Sequence, residues 1–185
     1  MCSRPDISII TPSSNPKFLT YTVDAIRRQK YSGFTFESII IQEAEDFTAF
    51  NHIRYASDMR IVRQLPHFDC GSAAKDVGIS IAAGRYVIFW DDDNLYYENA
   101  LQTVYENLVS DLVIFKVRYQ GTLIPISRAI IPGEIDTMCL CVDSELAKTV
   151  PWSDGHGRYS DYRWASRIAQ IARIHYSDAI IGEHL

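Results

Sequence analysis

The sequence predicts an α/β fold in which a mostly parallel central sheet carries helices on both faces. Short β-branched apolar runs alternate with segments whose apolar residues recur at helical spacing, from residue 6 to about residue 117, and this alternation is typical of βαβ units. Residues 86–90 (YVIFW) run directly into Asp91, Asp92 and Asp93. A continuous apolar run indicates a buried parallel strand, and ligands of such sheets bind at the carboxyl ends of the strands.

The length and charge of the chain restrict what it can bind. Its 185 residues suit one domain, residues 1–185, with 47% hydrophobic and 22% charged residues, which is ordinary for a globular protein. The net charge of −5 and the scattered Lys and Arg residues argue against a nucleic-acid partner, because a polyanion normally requires a basic stripe. A small anionic substrate stays compatible with this composition if a metal and a few local cations neutralise it.

The N-terminus and the cysteines predict a cytoplasmic protein. The first ten residues (MCSRPDISII) lack the apolar segment of a signal peptide, and no apolar run is long enough to span a bilayer. Cys2, Cys70, Cys139 and Cys141 match no zinc pattern, so we expect reduced thiols. The sequence carries no signal for an oligomeric state.

The first strand and helix have recognisable boundary residues. Residues 6–11 (DISIIT) form a β-branched apolar strand that ends at Pro12. Asn15 then supplies an N-cap and Pro16 a first-turn proline, so a helix is predicted to about residue 29.

The next elements lead to the acid-tipped strand. Residues 37–41 (ESIII) and 60–64 (RIVRQ) are predicted strands, and residues 44–57 between them are predicted to form a loop with about one helical turn. Residues 71–84 are predicted to form a second helix, with Gly84 as its C-terminal glycine.

Beyond Tyr119 the regular alternation stops. Residues 178–185 close the chain with no assigned element, and the sequence shows no internal repeat or linker. The other predicted elements are a helix over 99–109, strands over 112–117, 123–131 and 137–142, a helix over 144–150, a loop over 151–159, and a final helix capped by Ser160 and Asp161 with Trp164, Ile168 and Ile171 on its inner face.

The three consecutive aspartates predict a metal site. Adjacent carboxylates repel one another unless solvent or a cation offsets their charge, and oxygen-rich clusters bind hard divalent ions such as Mg²⁺, often together with substrate phosphates. A solvated acidic turn is the alternative interpretation of such a run. The position of Asp91, Asp92 and Asp93 directly after a buried strand favours the metal site.

Three polar segments are expected at the same edge of the sheet. TPSSN follows the first strand, QEAED the second and DDDN the acid-tipped strand, so together they can line one crevice. The helix GSAAKDVGISIAAG is expected to pack below the acids and to bring Lys75 and Asp76 towards them.

With these motifs in order, the sequence resembles the family 2 nucleotide-sugar glycosyltransferases of the GT-A (nucleotide-diphospho-sugar transferase) fold. The matching segments are ITPSSN, AIRRQKYSGFTFESIII, GSAAKDVGISIAAGRYVIFW and DDDNLY, the last at the position of the D-x-D box. Each motif alone is weak, but four in this order and spacing are specific. The resemblance covers about the first 110 residues well and the remainder loosely. It implies a nucleotide-sugar-binding part over 1–110 and a small acceptor part over 111–185.

The resemblance implies binding roles for the loops after the first two strands. Thr11, Pro12 and Ser13 match the loop that holds the nucleotide base and ribose. Gln42 and Glu43 stand where the family usually has two acids, one of which contacts a uracil-type base.

The resemblance also implies roles for the helix and the acidic turn. Lys75 and Asp76 stand where the family usually has Arg and Asn, next to the base and phosphates. Asp92 and Asp93 match the ribose-binding and metal-binding acids. Asp91 is a second candidate for binding both the nucleotide and the metal.

The family places a general base near the start of a late helix, where this chain has Asp161 in RYSDYRW. An N-capping aspartate, which stabilises a helix by about 1 kcal/mol, is the alternative role. Capping and catalysis do not exclude each other. Asp154 and Asp178 are weaker candidates for the base.

Two late histidines have open interpretations. His184 can be a metal ligand, as a late histidine is in some GT-A enzymes, or a frayed and exposed terminal residue. His156, between glycines in DGHGRY, can contact an acceptor or serve as a spacer.

The resemblance implies a metal-dependent enzyme that moves a sugar from a nucleotide-diphosphate donor to a hydroxyl acceptor with inversion. We expect a UDP-sugar donor, a saccharide or other hydroxyl acceptor, and Mn²⁺ or Mg²⁺ as cofactor, because a divalent ion stabilises the charge on the departing diphosphate. The alternative is a GT-A-like module that binds the nucleotide but is catalytically weak or inactive. An aspartyl phosphatase is disfavoured, because its acidic loop normally follows the first strand.

Overall fold

The structure, a computed structural model, describes residues 4–67, 71–152, 157 and 159–185. The described strands are β1 Ile7–Ser13, β2 Phe36–Glu43, β3 Met59–Gln64, β4 Tyr86–Phe89, β5 Leu95–Tyr96, β6 Leu112–Tyr119, β7 Thr122–Ile124, β8 Leu140–Asp143 and β9 Ile174–His184. The described α-helices are α1 Pro16–Arg27, α2 Ser72–Ile81, α3 Ala100–Glu106, α4 Ser144–Ala147 and α5 Ser160–Ala169, and 3₁₀ turns lie at Thr48–Phe50 and Thr137–Cys139.

The described strands form one sheet in the order β3-β2-β1-β4-β8-β6-β9-β5, with β7 paired to β6. Strands β3, β2, β1 and β4 are parallel neighbours, and β6 and β9 are parallel to each other. Strand β8 is antiparallel to both β4 and β6, which lie on either side of it. Among the described strands of four or more residues, all except β8 therefore run in the same direction, and the short strands β5 and β7 are antiparallel to their neighbours. This arrangement confirms the predicted mostly parallel α/β fold.

Helices α1 and α2 cover opposite faces of this sheet. Ile10 and Ile39 are paired in register on β1 and β2, so they point to the same face, and Gly78 of α2 lies close against Ile10. Ile40 is next to Ile39 in the strand and therefore points to the other face, where it packs with Leu19 of α1.

An aromatic cluster attaches α5 to the central strand β4. The rings of Trp152 and Trp164 stack with centroids 4.3 Å apart, and Phe89 of β4 packs edge-on against both rings. All three side chains are fully buried, and Trp164 Nε1 donates to the Val150 carbonyl at 2.8 Å. The start of α5 is therefore held against the strand that leads into the three aspartates.

The predicted boundary of α1 is confirmed in its chemistry. Asn15 is the N-cap and its side chain accepts a hydrogen bond from the backbone N–H of Lys17, while Pro16 is the first helical residue. Pro16 needs no hydrogen bond there, because the first N–H groups of a helix have no partner within the helix.

The predicted role of Gly84 as a C-terminal glycine is wrong. Helix α2 ends at Ile81, its C-cap is Ala82, and Gly84 is not among the glycines with positive φ. A Cβ atom at Gly84 would lie 2.5 Å from the backbone nitrogen of Ser8 and 2.6 Å from its Oγ. Glycine is required there because β1 passes too close for a side chain.

The predicted strands over 123–131 and 137–142 are present only in part, as the end of β7 and most of β8. Strand β7 ends at Ile124, because Pro125 has no N–H to continue the ladder, and the N–H groups of Ile126 and Ser127 bond to the Glu134 carboxylate instead. The second segment begins as the 3₁₀ turn Thr137–Cys139, and only β8 is extended.

The end of the chain also differs from the prediction. Strand β9 lies between β6 and β5, although no strand was predicted after residue 142. Ile171, predicted on the inner face of the last helix, lies beyond the end of α5 and is 59% exposed. Its place in the helical pattern therefore overestimated the length of the helix.

Candidate active site

The carboxyl ends of β1 and β2, the acidic turn after β4, residues 66 and 67 after β3 and the start of α2 line one cavity of about 380 Å³. This placement agrees with the crevice that the sequence predicted at the carboxyl ends of parallel strands. The lining residues are Pro12, Ser13, Ser14, Glu43, Pro66, His67, Gly71, Lys75, Asp91, Asp92 and Asp93.

Asp92 is hydrogen-bonded to the last residue of β1. Ser13 Oγ donates a hydrogen bond to Asp92 Oδ2, and Thr22 Oγ1 of α1 donates to the Asp92 backbone carbonyl at 3.0 Å. Burial raises the pKa of Asp92 to about 7, with the charges of Asp93 and Asp91 adding to the rise and the Ser13 hydrogen bond opposing it. The acidic turn is therefore held in place, and its charge is unfavourable without a cation.

Asp91 forms an ion pair with a buried lysine. Lys75 Nζ of α2 lies 3.3 Å from Asp91 Oδ1, and the Lys75 side chain is only 4% exposed. The ammonium also lies 5.2 Å from the centre of the Trp152 ring. Burial raises the pKa of Asp91, and Lys75 opposes that rise. The helix thus brings Lys75 to the acids, as the sequence predicted.

The residue beside Lys75 has a different position. Asp76 Oδ1 accepts a hydrogen bond from the backbone N–H of Trp152 at 2.6 Å, and Asp76 does not line the cavity among the described residues. Its carboxylate connects α2 to the segment that precedes α5.

Glu43 and Gln42 are separated by the alternation of β2. Glu43 lines the cavity; its Oε1 accepts from Gln64 Nε2 at 3.0 Å and lies 3.7 Å from His67 Nδ1. The Gln42 side chain is fully buried and bonds instead to the Tyr55 hydroxyl at 2.5 Å and to Arg63 Nε at 3.1 Å. Of the two residues, only Glu43 lines the cavity.

Thr11 and Pro12 divide in the same way. Pro12 lines the cavity, whereas Thr11 is fully buried and its Oγ1 has no hydrogen-bond partner within the described part of the chain. His67, which does line the cavity, was not a candidate in the sequence, because it lies in a loop beyond β3 with no motif around it.

Asp161 lies in the first turn of α5, where the charge of Asp91 in the acidic turn acts on its carboxyl. The N-cap of α5 is Tyr159, in the left-handed region with φ of 67°, so the predicted capping role of Ser160 and Asp161 is wrong. Burial raises the pKa of Asp161 to about 6; the charges of Asp136 and Asp91 raise it further, and the Tyr162 N–H and Lys75 oppose the rise.

His184 is held near the acids and is not a frayed terminal residue. It is the last residue of β9 and is paired in register with Tyr119 of β6, whose ring packs edge-on against the imidazole with centroids 4.9 Å apart. Its Nδ1 lies 2.6 Å from Asp136 Oδ2. This hydrogen bond raises the pKa of His184, and the charges of Asp93 and Asp91 contribute to the rise.

Asp136 is a site residue that the sequence did not indicate. It precedes the 3₁₀ turn, where its side chain accepts from the Met138 N–H, and its charge acts on Asp91, Asp161 and His184. A capping aspartate before the turn was a recognisable signal, but its proximity to the acids arises only from sheet pairing.

The remaining candidates lie elsewhere. Asp178 is exposed and forms ion pairs with Lys116 at 3.0 Å and Arg128 at 2.9 Å, which lower its pKa. Asp154 and His156 lie outside the described residues, as do Cys2 and Cys70.

The donor set at the acidic turn suits a cation that is shared with a substrate. No group of three or more His, Cys, Asp or Glu side chains in the described residues is arranged to hold a metal alone. Burial raises the pKa of Asp91 and Asp92, and the charges of the neighbouring acids add to the rise, so a nearby cation would favour their ionised forms. Mg²⁺ and similar ions commonly use one or two carboxylates and complete their shell with phosphate oxygens and water.

None of the helices that the structure describes is long and apolar enough to cross a membrane.

The chain is similar to known glycosyltransferases. A family model described as "Glycosyl transferase family 2" matches residues 8–124, more than half of the chain. The chain is 30% identical over 106 residues to the glycosyltransferase GlyG of Streptococcus pneumoniae serotype 4 (strain ATCC BAA-334 / TIGR4), covering 55% of this chain and 35% of that protein. It is 28% identical over 132 residues to the poly(ribitol-phosphate) beta-N-acetylglucosaminyltransferase TarP of Staphylococcus aureus (strain N315), covering 67% and 40%. The chain thus spans well under half the length of these two curated relatives.

Solved structures share the fold. The structure of S. aureus TarS 1-349 in complex with UDP superposes with a TM-score of 0.71 at 17% identity, covering 97% of this chain and 60% of that one. Glucosyl-3-phosphoglycerate synthase from Mycobacterium tuberculosis, in complex with Mn²⁺, UDP and phosphoglyceric acid, gives a TM-score of 0.68 at 17% identity, covering 98% and 71%. These likenesses confirm the predicted GT-A fold.

Proposed function

The chain belongs to the family 2 glycosyltransferases, and from this premise we propose that it transfers a sugar from a nucleoside diphosphate donor to an acceptor hydroxyl, with inversion at the anomeric carbon. A UDP-sugar is the favoured donor, a saccharide or another hydroxyl compound is the acceptor, and Mn²⁺ or Mg²⁺ is the cofactor. The observation that carries the proposal is that Asp161, which lies about 70 residues later in the chain, is close enough to the acidic turn after β4 for the charges of Asp91 and Lys75 to act on its carboxyl.

The cavity is suited to the nucleotide part of the donor. Its volume of about 380 Å³ falls in the range of small-molecule sites. Two pairs of polar side chains line it, Ser13 with Asp92 and Glu43 with His67, which suits ribose hydroxyls and a base edge. UDP was bound in the related TarS structure, which supports the choice of a uridine nucleotide.

Asp93, with Asp91 and His184 as further ligands, would hold the divalent ion. When bound, the ion stabilises negative charge on the departing diphosphate. Lys75 contributes in the same direction, since its ammonium lies beside Asp91 in a poorly solvated position. The Mn²⁺ and UDP in the glucosyl-3-phosphoglycerate synthase structure support the choice of a divalent ion together with a uridine nucleotide.

Asp161 would be the general base. A carboxyl with a pKa of about 6 is mostly ionised at neutral pH and is a stronger base than an exposed aspartate. It takes the proton of the acceptor hydroxyl as that oxygen bonds to the anomeric carbon and the bond to the diphosphate oxygen breaks. A single displacement from the opposite face inverts the configuration.

We further propose that residues 1–185 act as one unit in the cytoplasm. One continuous apolar cluster extends from Ile7 to Ile181, which supports a single core. The described cysteines, Cys139 and Cys141, are buried free thiols, in keeping with a reducing compartment.

A thermal-shift series tests the proposal. UDP, GDP, ADP, CDP and dTDP are each added to the purified protein with and without Mn²⁺. We expect UDP to raise the melting temperature strongly only with Mn²⁺, because the charge of the diphosphate beside the acidic turn needs the cation. A ligand at 100 times its Kd stabilises the native state by about 2.7 kcal/mol. No shift with any diphosphate in a folded sample would contradict the proposal, and a shift with another base would correct the donor.

A further inference from the structure

Asp136 and His184 form a close side-chain pair beside the acidic turn. Asp136 Oδ2 lies 2.6 Å from His184 Nδ1, and the two side chains are 13% and 33% exposed. Histidines that bind metals almost always donate their other ring N–H to a carboxylate, a carbonyl or water, which sets the tautomer and the orientation of the ring. The distance between Asp136 Oδ2 and His184 Nδ1 matches such a hydrogen bond.

Both members of the pair are held in place. Asp136 Oδ1 accepts from the Met138 N–H at 2.8 Å, so each carboxylate oxygen has one partner. His184 is fixed by the pairing of β9 with β6 and by the edge of the Tyr119 ring. A hydrogen bond between two restrained groups costs little additional side-chain entropy.

The use of a carboxylate at position 136 is not explained by capping alone. Capping the 3₁₀ turn needs one acceptor oxygen, which Ser, Thr or Asn also provides. The Asp136 charge acts unfavourably on Asp91 and Asp161, because it raises the pKa of each. Asp136 therefore adds electrostatic repulsion between carboxylates, and a role at the site would explain why a carboxylate stands there.

We propose that Asp136 is a positioning residue for the cation site: it accepts the Nδ1–H of His184 and thereby presents the Nε2 lone pair of that ring to the divalent ion held by Asp93. This inference rests on the proposed function, because it assumes the Mn²⁺ and nucleotide site. It assigns Asp136 no contact with substrate or ion. The consequence of its loss is a wrong tautomer and a mobile imidazole, with the ligand itself still present.

Metal affinity provides the first test. Mn²⁺ is titrated calorimetrically into protein saturated with UDP, for the wild type and for Asp136→Ser, Asp136→Asn, His184→Ala and Asp136→Ser/His184→Ala. Asp136→Ser keeps one oxygen that can cap the turn but removes the second carboxylate oxygen, Oδ2, which contacts His184. We expect Asp136→Ser and His184→Ala each to weaken Mn²⁺ binding about 10-fold or more, and the double variant to bind no more weakly than His184→Ala.

The conservative variant and a matched control complete this series. Asp136→Asn keeps an amide oxygen that can accept the Nδ1–H, so its affinity should lie between those of wild type and Asp136→Ser. Asp178→Ser removes an exposed aspartate that pairs only with Lys116 and Arg128 among the described residues, and its Mn²⁺ affinity should equal that of wild type.

The tautomer of His184 provides a second test that does not depend on activity or on metal. Long-range ¹H–¹⁵N correlation spectra of the labelled protein, recorded at a pH where the ring is neutral, should show the proton on Nδ1 in wild type. In Asp136→Ser the proton should shift towards Nε2, the usual position in free histidine. A capping role alone would not change the tautomer.

The outcomes separate this inference from the proposed function. A wild-type protein that binds neither UDP nor Mn²⁺ overturns the proposed function and this inference with it. A wild-type protein that binds both, while Asp136→Ser binds Mn²⁺ equally well or His184 carries its proton on Nε2, overturns the inference alone. Losses that multiply in the double variant also overturn it, because they mean that Asp136 acts independently of His184.

Discussion

Lys75 Nζ lies 3.3 Å from Asp91 Oδ1, and the lysine side chain that makes this contact is 4% exposed. The pair joins helix α2 to the acidic turn at the wall of the cavity proposed to bind the nucleotide. Because Lys75 is the counter-ion of Asp91, the net charge at the candidate cation site is one unit less negative than the three adjacent aspartates suggest.

Replacing Lys75 by Met should destabilise the protein. The change leaves the Asp91 charge without its partner in a partly buried position, and the pKa of Asp91 rises further. We expect the free energy of unfolding at pH 7 to fall by about 2 kcal/mol, measured by urea unfolding. Lys75→Met/Asp91→Asn should recover most of the loss, and equal stability of wild type and Lys75→Met would show that the ion pair is weak.

Asp161→Asn should abolish turnover while leaving nucleotide binding intact. The amide keeps the shape of the carboxyl but cannot accept a proton, so we expect kcat to fall by about 10²-fold or more. The Kd for UDP with Mn²⁺, measured by calorimetry, should change by less than about twofold. Asp178→Asn, in the exposed ion pairs with Lys116 and Arg128, is the matched control. Retained turnover in Asp161→Asn would remove the base from that position.

Turnover should rise with pH and level off above about pH 6. The base works only when ionised, and the pKa of Asp161 is raised to about 6 by burial, so kcat should fall by about tenfold for each unit below that value. The measurement is kcat at saturating donor and Mn²⁺ between pH 4.5 and 8. Residual activity of Asp161→Asn should lack this limb, and a wild-type profile that is flat down to pH 4.5 would contradict the assignment.

Gly84→Ala should destabilise the sheet. Its Cβ would lie 2.5 Å from the backbone nitrogen of Ser8, so β1 or the segment before β4 must shift, at a cost of about 2 kcal/mol. Gly33→Ala is the comparison, because a Cβ there meets no atom within 4 Å although φ is +81°, and it should cost only about 1 kcal/mol. Urea unfolding distinguishes the two, and a larger loss at Gly33 would show that the Gly84 contact relaxes easily.

The part of the site that could be predicted depends on local patterns. The apolar run of β4 ends at Asp91, and Ser13 and Glu43 follow other apolar strands. Once parallel pairing was inferred, these residues had to meet at one sheet edge. The sequence also contained an unused signal. Because neighbouring residues of a strand point to opposite faces, only one of Gln42 and Glu43 could line the cavity.

The part that could not be predicted depends on pairing between distant segments. Asp136 precedes the turn that leads into β8, His184 ends β9, and the two meet because β8 and β9 both pair with β6. Nothing near either residue in the sequence specifies those neighbours. Gly84 could not be assigned for a different reason, since a glycine after a helical pattern suits both a C-cap and a close approach of two backbone segments. Only the position of β1 distinguishes these roles.

The pairing of β5 with residues 182 and 183 of β9 couples the candidate cation site to local opening of the sheet. When the C-terminal end of β9 separates from β6 and β5, His184 moves with it, so each such opening also removes a candidate ligand from the candidate cation site. By thermodynamic linkage, a ligand that binds only the closed form lowers the population of the open form. Amide hydrogen exchange along β9 should therefore report ligand occupancy from within the backbone, without any label at the site.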